Sequence, residues 1–370
     1  MKKILALVLA LTLVMGLFSF AVADEAKIKV GIAMPTKSLD RWNSDGEFLV
    51  NEFEKAGYTP LIKYSDNKSD VQVNDIQNML ADGVELLVIT AVDGEALNTV
   101  MDEAQEKGVK VIAYDRLIKH DAVSYYVSYD NFTVGVLQGE FVEAQLGLKD
   151  AGDKTFNMEF TAGDPADNNA TYFYNGAMKI MKPYIDAGTV IVPSTQTEFG
   201  QVATAAWSTD TALNRASNLL GSYYGDGKVL DAWLCSNDST ALGVAQAIAS
   251  DYKGDNTVIV TGQDAENTAL INIYQGMQTM SVYKNLANEV EVTLAVAKAV
   301  LDGTELGEEF AKSFAYDVAY DVESYETTPG NKCPSFLLVP YVITKDNMQL
   351  LVDTGLYAWN ADNTYVQKVE

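Results

Sequence analysis

Histidine occurs once in this chain of 370 residues, as His120, and cysteine twice, as Cys235 and Cys333. A single imidazole excludes an HExxH protease site and any Cys2His2 zinc site, which need two. It also serves nucleophilic catalysis poorly, because His120 would have to be the base and no GxSxG stretch accompanies it. Two cysteines far apart in sequence make no disulfide framework, and Cys235, inside the apolar "AWLC", reads as a small buried side chain. Phosphate loops are missing too. "GSYYGDGKV" has Ser222 where a P-loop needs its first glycine and Val229 where it needs Ser or Thr, and no GxGxxG follows the first strand-like run. No metal and no cofactor is expected, and an enzyme is disfavoured.

Positive charge is also scarce. Lys and Arg number 26 against 51 Asp and Glu, a formal charge of −25. That balance argues against nucleic acid and against anionic membrane surfaces, and suits solubility in an exported protein. Export is expected from the first residues: Met1-Lys2-Lys3 is a basic start, Ile4 to Phe20 an apolar run, and Ala21-Val22-Ala23 a small-residue cleavage pattern. The run is short for a membrane span and no Lys or Arg directly follows it, so residues 1–23 read as a signal peptide cleaved after Ala23. The segment holds no cysteine, which excludes a lipid anchor through that residue.

What the chain does have is regular alternation. "IKVGIAM", "YTPLIKYS", "VELLVIT", "VKVIAYD" and "VSYYVSYD" are strand-like, separated by stretches of helical spacing such as Phe48, Val50, Phe53 and Ala56. Short, almost uninterrupted apolar runs between helices predict parallel sheet covered on both faces. Around Asn131 the pattern restarts with "TFNMEFT", "TVIVPST", "VLDAWLC", "TVIVTG" and "TMSVY". The fold class expected is α/β, with two similar doubly wound parallel-sheet lobes. The late run "SFLLVPYVIT", broken by Pro340, is expected to pass from one lobe to the other.

In open parallel sheets, ligands sit beyond the carboxyl ends of the strands. The residues found there are Lys37, Arg41 and Trp42; Asp93; Asp115 and Arg116; Asp167, Asn168 and Asn169; Asn237 and Asp238; Gln263 and Asp264; and Lys284, with Trp42 and Trp207 in such connections. This mix of carboxylate, guanidinium, amide, amine and indole suits a polyol, whose hydroxyls both donate and accept and whose ring face is apolar. Each residue has an ordinary alternative. Asp238 and Ser239 equally read as caps of a helix beginning at Ala241, Asp93 as a cap, the tryptophans as core, Lys284 as a solvated lysine, and Asp115 with Arg116 as surface ion pairs of little worth.

At these positions the sequence resembles the exported sugar-binding proteins of ABC importers, near the xylose-binding and multiple-monosaccharide-binding receptors. The resemblance runs through "GIAMPTKSLDRW", "VIAYDRLI", "YDNFTVGVLQ", "GDPADNNA", "SNDSTALG", "GQDAE" and "QTMSVYK", almost the whole mature chain. It implies a periplasmic-binding-protein type I fold whose lobes are joined by a hinge and close on one monosaccharide in the cleft between them. The lobes are then expected at 24–131 plus 284–335 and at 132–283 plus 336–370. By motif, it implies sugar contacts from Arg41 and Trp42, from Asp115 and Arg116, from Asn169 or Asn168, from Asn237 and Asp264, and from Lys284, with Lys37 a further candidate. Trp207 is the candidate for the second stacking face. The implied partners are a monosaccharide (xylose, glucose, galactose or arabinose), a membrane permease with its separate ATPase, and a chemoreceptor or sensor kinase, the protein itself being a monomer.

Overall fold

The computed structural model describes residues 27–369; the expected signal segment 1–23 lies outside them. Among the described residues no helix is long and apolar enough to cross a membrane.

The first lobe is organised by β1 (Lys29–Met34), β2 (Thr59–Tyr64), β3 (Leu86–Ile89), β4 (Lys110–Tyr114) and β5 (Val123–Tyr129). The second holds β6 (Phe156–Thr161), β7 (Val190–Ile191), β8 (Ala232–Cys235), β9 (Ile259–Val260) and β10 (Ser281–Tyr283). The remaining strands are β11 (Val318–Asp321), the hairpin β12 (Glu326–Thr328) and β13 (Asn331–Lys332), β14 (Ser335–Leu338), β15 (Tyr341–Ile343), and the C-terminal pair β16 (Tyr357–Trp359) and β17 (Val366–Lys368).

The larger sheet has seven strands in the order β11-β14-β5-β4-β3-β1-β2, parallel except for β11. Its apolar runs are uninterrupted because both faces are covered. Leu87, Ile89, Val111 and Ala113 join one buried cluster with Met79 and Leu80, while Leu86, Val88, Ile112 and Tyr114 join another with Leu49 and Phe53. Successive side chains of each strand thus alternate between two cores. The second lobe repeats the device in four strands, β7-β6-β8-β9. Here Ala232 and Leu234 pack on one side, Trp233 and Cys235 on the other. The run "TVIVPST" supplies only the two residues of edge strand β7. A bridge between Gln263 and Val282 continues this sheet to β10, which pairs with β15.

The chain crosses between the lobes three times. After β5, the helix Asn131–Leu146 packs on the helix Asn168–Asp186, so closely that a Cβ at Gly135 would strike the Phe173 carbonyl and one at Gly176 the Phe132 carbonyl. After β10, Lys284 leads into the helix Leu286–Leu301, which packs on the first lobe. The third crossing lies a few residues beyond the expected boundary at 335. Phe336, Leu337 and Leu338 are buried in β14 against β5, and the chain leaves at the exposed Val339 and at Pro340, which has no N–H to continue the ladder. Cys235 and Cys333 are both buried free thiols.

Candidate functional site

The connections that leave the strands of both lobes converge on one cleft, and several carry unusual backbone. Asp115, directly after β4, has φ 57°; Trp207 has φ 54°; Asp264, beyond β9, has φ 99° and Ala265 φ 49°. A left-handed conformation is costly for side chains of this kind and persists only where surroundings hold it. At Asp115 the holding groups are visible. Its carbonyl accepts from the Tyr126 hydroxyl at 2.6 Å, Ser128 Oγ at 3.0 Å and Asn169 Nδ2 at 2.7 Å. At the Asp264 turn, Asp264 N–H donates to the Val282 carbonyl at 2.8 Å and Ala265 N–H to Ser281 Oγ at 3.0 Å.

These turns aim charge across the cleft. Arg41, in the first turn of the helix Asp40–Lys55, reaches Asp115 at 2.7 Å, Asp264 at 2.9 Å and Glu289 at 3.0 Å. Lys284 lies 3.2 Å from Asp115 and 3.3 Å from Asp264. Arg116 pairs with Asp167 of the second lobe at 2.9 Å, and the Trp207 indole N–H donates to the same carboxylate at 3.2 Å. The Trp42 ring lies under two guanidinium groups, those of Arg41 and Arg116, each 5.0 Å from the ring centre.

Burial alone would raise the carboxyl of Asp115, but Arg41, Lys284 and Arg116 outweigh it and bring the group down to about 2. Burial dominates at Asp167, whose carboxyl stays raised despite Arg116. Arg41 is itself held firmly protonated: burial opposes its charge, and Asp115, Asp45, Asp264 and Glu289 together more than offset that.

The structure brings Arg41, Trp42, Asp115, Arg116, Trp207, Asn237, Asp264 and Lys284 together around this cleft. Asn237 caps the helix Asp238–Asp251, its Oδ1 accepting from Thr240 N–H at 3.0 Å and Thr240 Oγ1 at 2.8 Å. The cap is therefore Asn237 rather than Asp238 or Ser239, and the helix starts earlier than Ala241. Three expected residues stand apart from the lining. The Asn169 amide is turned inward, donating to the Asp115 carbonyl and accepting from the Tyr126 hydroxyl at 3.1 Å. Asn168 is half-buried near Gly94. Lys37 lies 4.8 Å over the Tyr64 ring in an outer groove. Asp93 accepts from Glu95 N–H at 2.8 Å in a local turn and does not cap the following helix, Asn98–Glu106, whose N-cap is Leu97.

The cleft also has walls that were not singled out as sugar contacts: Leu39, Asp167, Phe173, Gln263 and Glu266, all but Phe173 lying inside the resembling stretches. Asp167 and Gln263 carried the strand-end signal in the sequence. For Leu39, Phe173 and Glu266 the sequence offers none, because a helix face and a left-handed turn decide where they point. A wider groove alongside shares Arg41, Asp264 and Lys284 but has no tryptophan on its lining. Among the described residues no group of three or more His, Cys, Asp or Glu side chains is arranged to hold a metal ion.

Two α/β lobes crossed three times by the chain, with an aromatic and charged cleft between them, define a two-lobed solute-binding protein rather than a phosphate-loop enzyme. The chain belongs to the periplasmic binding protein family, whose domain model matches residues 30–305. It is 38% identical to the multiple sugar-binding periplasmic receptor ChvE of Rhizobium radiobacter, over 96% of this chain and 98% of that protein. It is 33% identical to the D-xylose-binding periplasmic protein of Escherichia coli, over 92% and 94% of the two chains. Among solved structures it is similar to an ABC transporter solute binding protein from Clostridium phytofermentans with bound β-D-glucose. That similarity is 43% identity at a TM-score of 0.84, covering 91% of this chain and 99% of the other. Each of these names describes a binding protein, and none an enzyme.

Proposed function

We propose that this chain is an exported receptor that captures one aldose monosaccharide between its lobes and presents it to an ABC permease. The observation that carries the reading is the pair of tryptophans on one charged cleft whose side chains come from both lobes. A pyranose has apolar CH faces, which indole surfaces cover, and a hydroxyl rim, which needs both donors and acceptors. Trp42 and Trp207 take the faces. Asp115 and Asp264 accept from hydroxyls, and Arg41, Arg116, Lys284 and Asn237 donate. The Trp42 indole N–H and Gln263 Oε1, both buried, have no hydrogen-bond partner among the described residues and add a donor and an acceptor.

The mechanism follows from which lobe owns each group. In an open form, Arg41, Trp42, Asp115 and Arg116 face Asp167, Trp207, Asn237 and Asp264 across water. A sugar bridging both sets favours the form in which both are in contact, and the three crossings near Asn131, Lys284 and Val339 act as the hinge. The closed face then docks on the permease, where a separate ATPase drives transport, after cleavage of residues 1–23. The relatives' names, a multiple sugar receptor, a D-xylose binder and a glucose-bound solute binder, support an aldose as ligand. Calorimetric titration with D-glucose, D-xylose, D-galactose and L-arabinose tests this: saturable binding of one sugar per chain is expected. Trp42→Ala weakens it at least about tenfold, as loss of an apolar stacking face predicts. Absence of binding to every sugar, or wild-type affinity in that variant, would refute the assignment.

A further inference from the structure

The turn Asp264–Ala265–Glu266 brings two carboxylates to the same cleft, and only one of them has a cation. Asp264 is paired with Arg41 and Lys284. Glu266 is buried on the lining and takes part in none of the ion pairs among the described residues. Its carboxyl is held by the Ser239 hydroxyl, 3.0 Å from Oε1 and 3.3 Å from Oε2. The backbone is fixed as well: Ala265 has φ 49°, and the Glu266 N–H donates to Asp238 Oδ2 at 3.0 Å. One serine hydroxyl leaves most of this carboxyl's hydrogen-bonding capacity unused.

Its electrostatic surroundings are hostile to ionisation. Asp264 lies two residues before it and Asp40 comes from the first lobe, both opposing its charge; the Ser239 hydrogen bond and Lys368 of β17 act the other way and are outweighed. Burial first, and the Asp264 charge second, push the Glu266 carboxyl up to about 7. A carboxyl that is protonated in a cleft is a donor as well as an acceptor, and Glu266, unlike the raised Asp167 that pairs with Arg116, has no paired cation among the described residues to hold its charge.

We propose that Glu266 is a specificity-determining residue of the sugar cleft that works in its protonated form, donating its O–H to a ligand oxygen and tying ligand retention to pH. The inference rests on the cleft being a sugar site. Lobe closure removes the carboxyl from water and sets Asp40 of the first lobe against it, so closure and protonation favour one another. The sign follows from linkage. The carboxyl lies higher in this closed arrangement than its ordinary 4.5, so retention is favoured at low pH and declines as the pH rises through about 7.

The test is calorimetric titration of the purified protein with D-glucose and with D-xylose at pH 5.5, 7.0 and 8.5, in buffers of different ionisation enthalpy. The wild type is expected to lose at least about tenfold in affinity between the lowest and highest pH, and to take up protons on binding near pH 6, between the ordinary 4.5 and the raised value of about 7. Glu266→Gln keeps a hydrogen-bond partner for Ser239 and cannot titrate. It is expected to flatten the pH profile, abolish the uptake and change the ratio of glucose to xylose affinity. A variant profile that superimposes on the wild type overturns the proposal. So does the absence of proton uptake in the wild type, which needs no variant to fold. If no sugar binds the wild type at any pH, the sugar assignment itself has failed, and this inference with it.

Discussion

Replacing Asp115 by asparagine isolates one charge at the centre of the cleft. The amide keeps the shape of the side chain and leaves the Asp115 carbonyl free to hold its bonds to Tyr126, Ser128 and Asn169. What it removes is the negative charge 2.7 Å from Arg41 and 3.2 Å from Lys284. In the folded protein burial works against that charge, but the three cations win and lower the carboxyl from an ordinary 3.8 to about 2. The difference corresponds to about 2 kcal/mol of stability carried by the ionised form. Because the folded value lies below the unfolded one, this contribution is present above about pH 4 and is lost as the pH falls through about 2. Urea unfolding at pH 7.0, 4.5, 3.0 and 2.5 measures it directly. Asp115→Asn is expected to be about 2 kcal/mol less stable at pH 7.0 and 4.5, with the gap shrinking toward the lowest pH. Carboxylates remote from Asp115 titrate alike in both proteins and cancel in the difference, whereas Asp45, Glu289 and Asp167, which the Asp115 charge raises, lie lower in the variant. A variant as stable as wild type at neutral pH, or a gap independent of pH, would refute the reasoning. In sugar titrations the same variant should lose about 1–3 kcal/mol of binding, the range for leaving ligand hydroxyls and charged donors short of an acceptor.

Tyr126→Phe removes a hydroxyl that donates to the Asp115 carbonyl at 2.6 Å and accepts from Asn131 at 3.0 Å. Chemical denaturation should show a loss of about 1–3 kcal/mol, and sugar affinity should fall with it because the left-handed turn is less firmly held. Gly135→Ala sets a Cβ against the Phe173 carbonyl of the facing helix. Thermal unfolding should report about 1–3 kcal/mol of destabilisation, and an unchanged midpoint would contradict the close approach. Lys37→Ala should leave sugar affinity within error of wild type, since Lys37 sits in the outer groove over Tyr64; a marked loss by calorimetry would move the site.

The lobe cores were legible because burial on both faces forces nearly every residue of a strand to be apolar, as in Leu86 to Ile89 and Ala232 to Cys235. The cleft was legible because parallel strands deliver their polar connections to one edge. Arg41, Asp115, Arg116 and Asp264 were readable as strand-end residues before any geometry was known. Asn169 shows where spacing stops being informative. Asp167 caps the helix Asn168–Asp186 and faces the cleft, whereas Asn169, two residues on, points back toward the Asp115 carbonyl. One residue at a helix start separates lining from support, and a motif that ends in "DNN" does not say which. Glu266 was hidden for a similar reason. Its direction depends on positive φ at Asp264 and Ala265, which the sequence "GQDAE" does not display. The third crossing is hard to place from sequence because the run "SFLLVPYVIT" is apolar on both sides of Pro340, and only the pairing with β5 puts Phe336 to Leu338 in the larger sheet.

The tryptophan-lined cleft is proposed to hold a monosaccharide. A crystal structure of the protein grown with D-glucose tests it most directly. One pyranose is expected between Trp42 and Trp207, with Asp115 and Asp264 accepting from its hydroxyls. Sugar bound instead in the neighbouring groove against Phe48 and Leu356, or a cleft with the Arg41–Asp264 pair unchanged and no sugar in it, would contradict it.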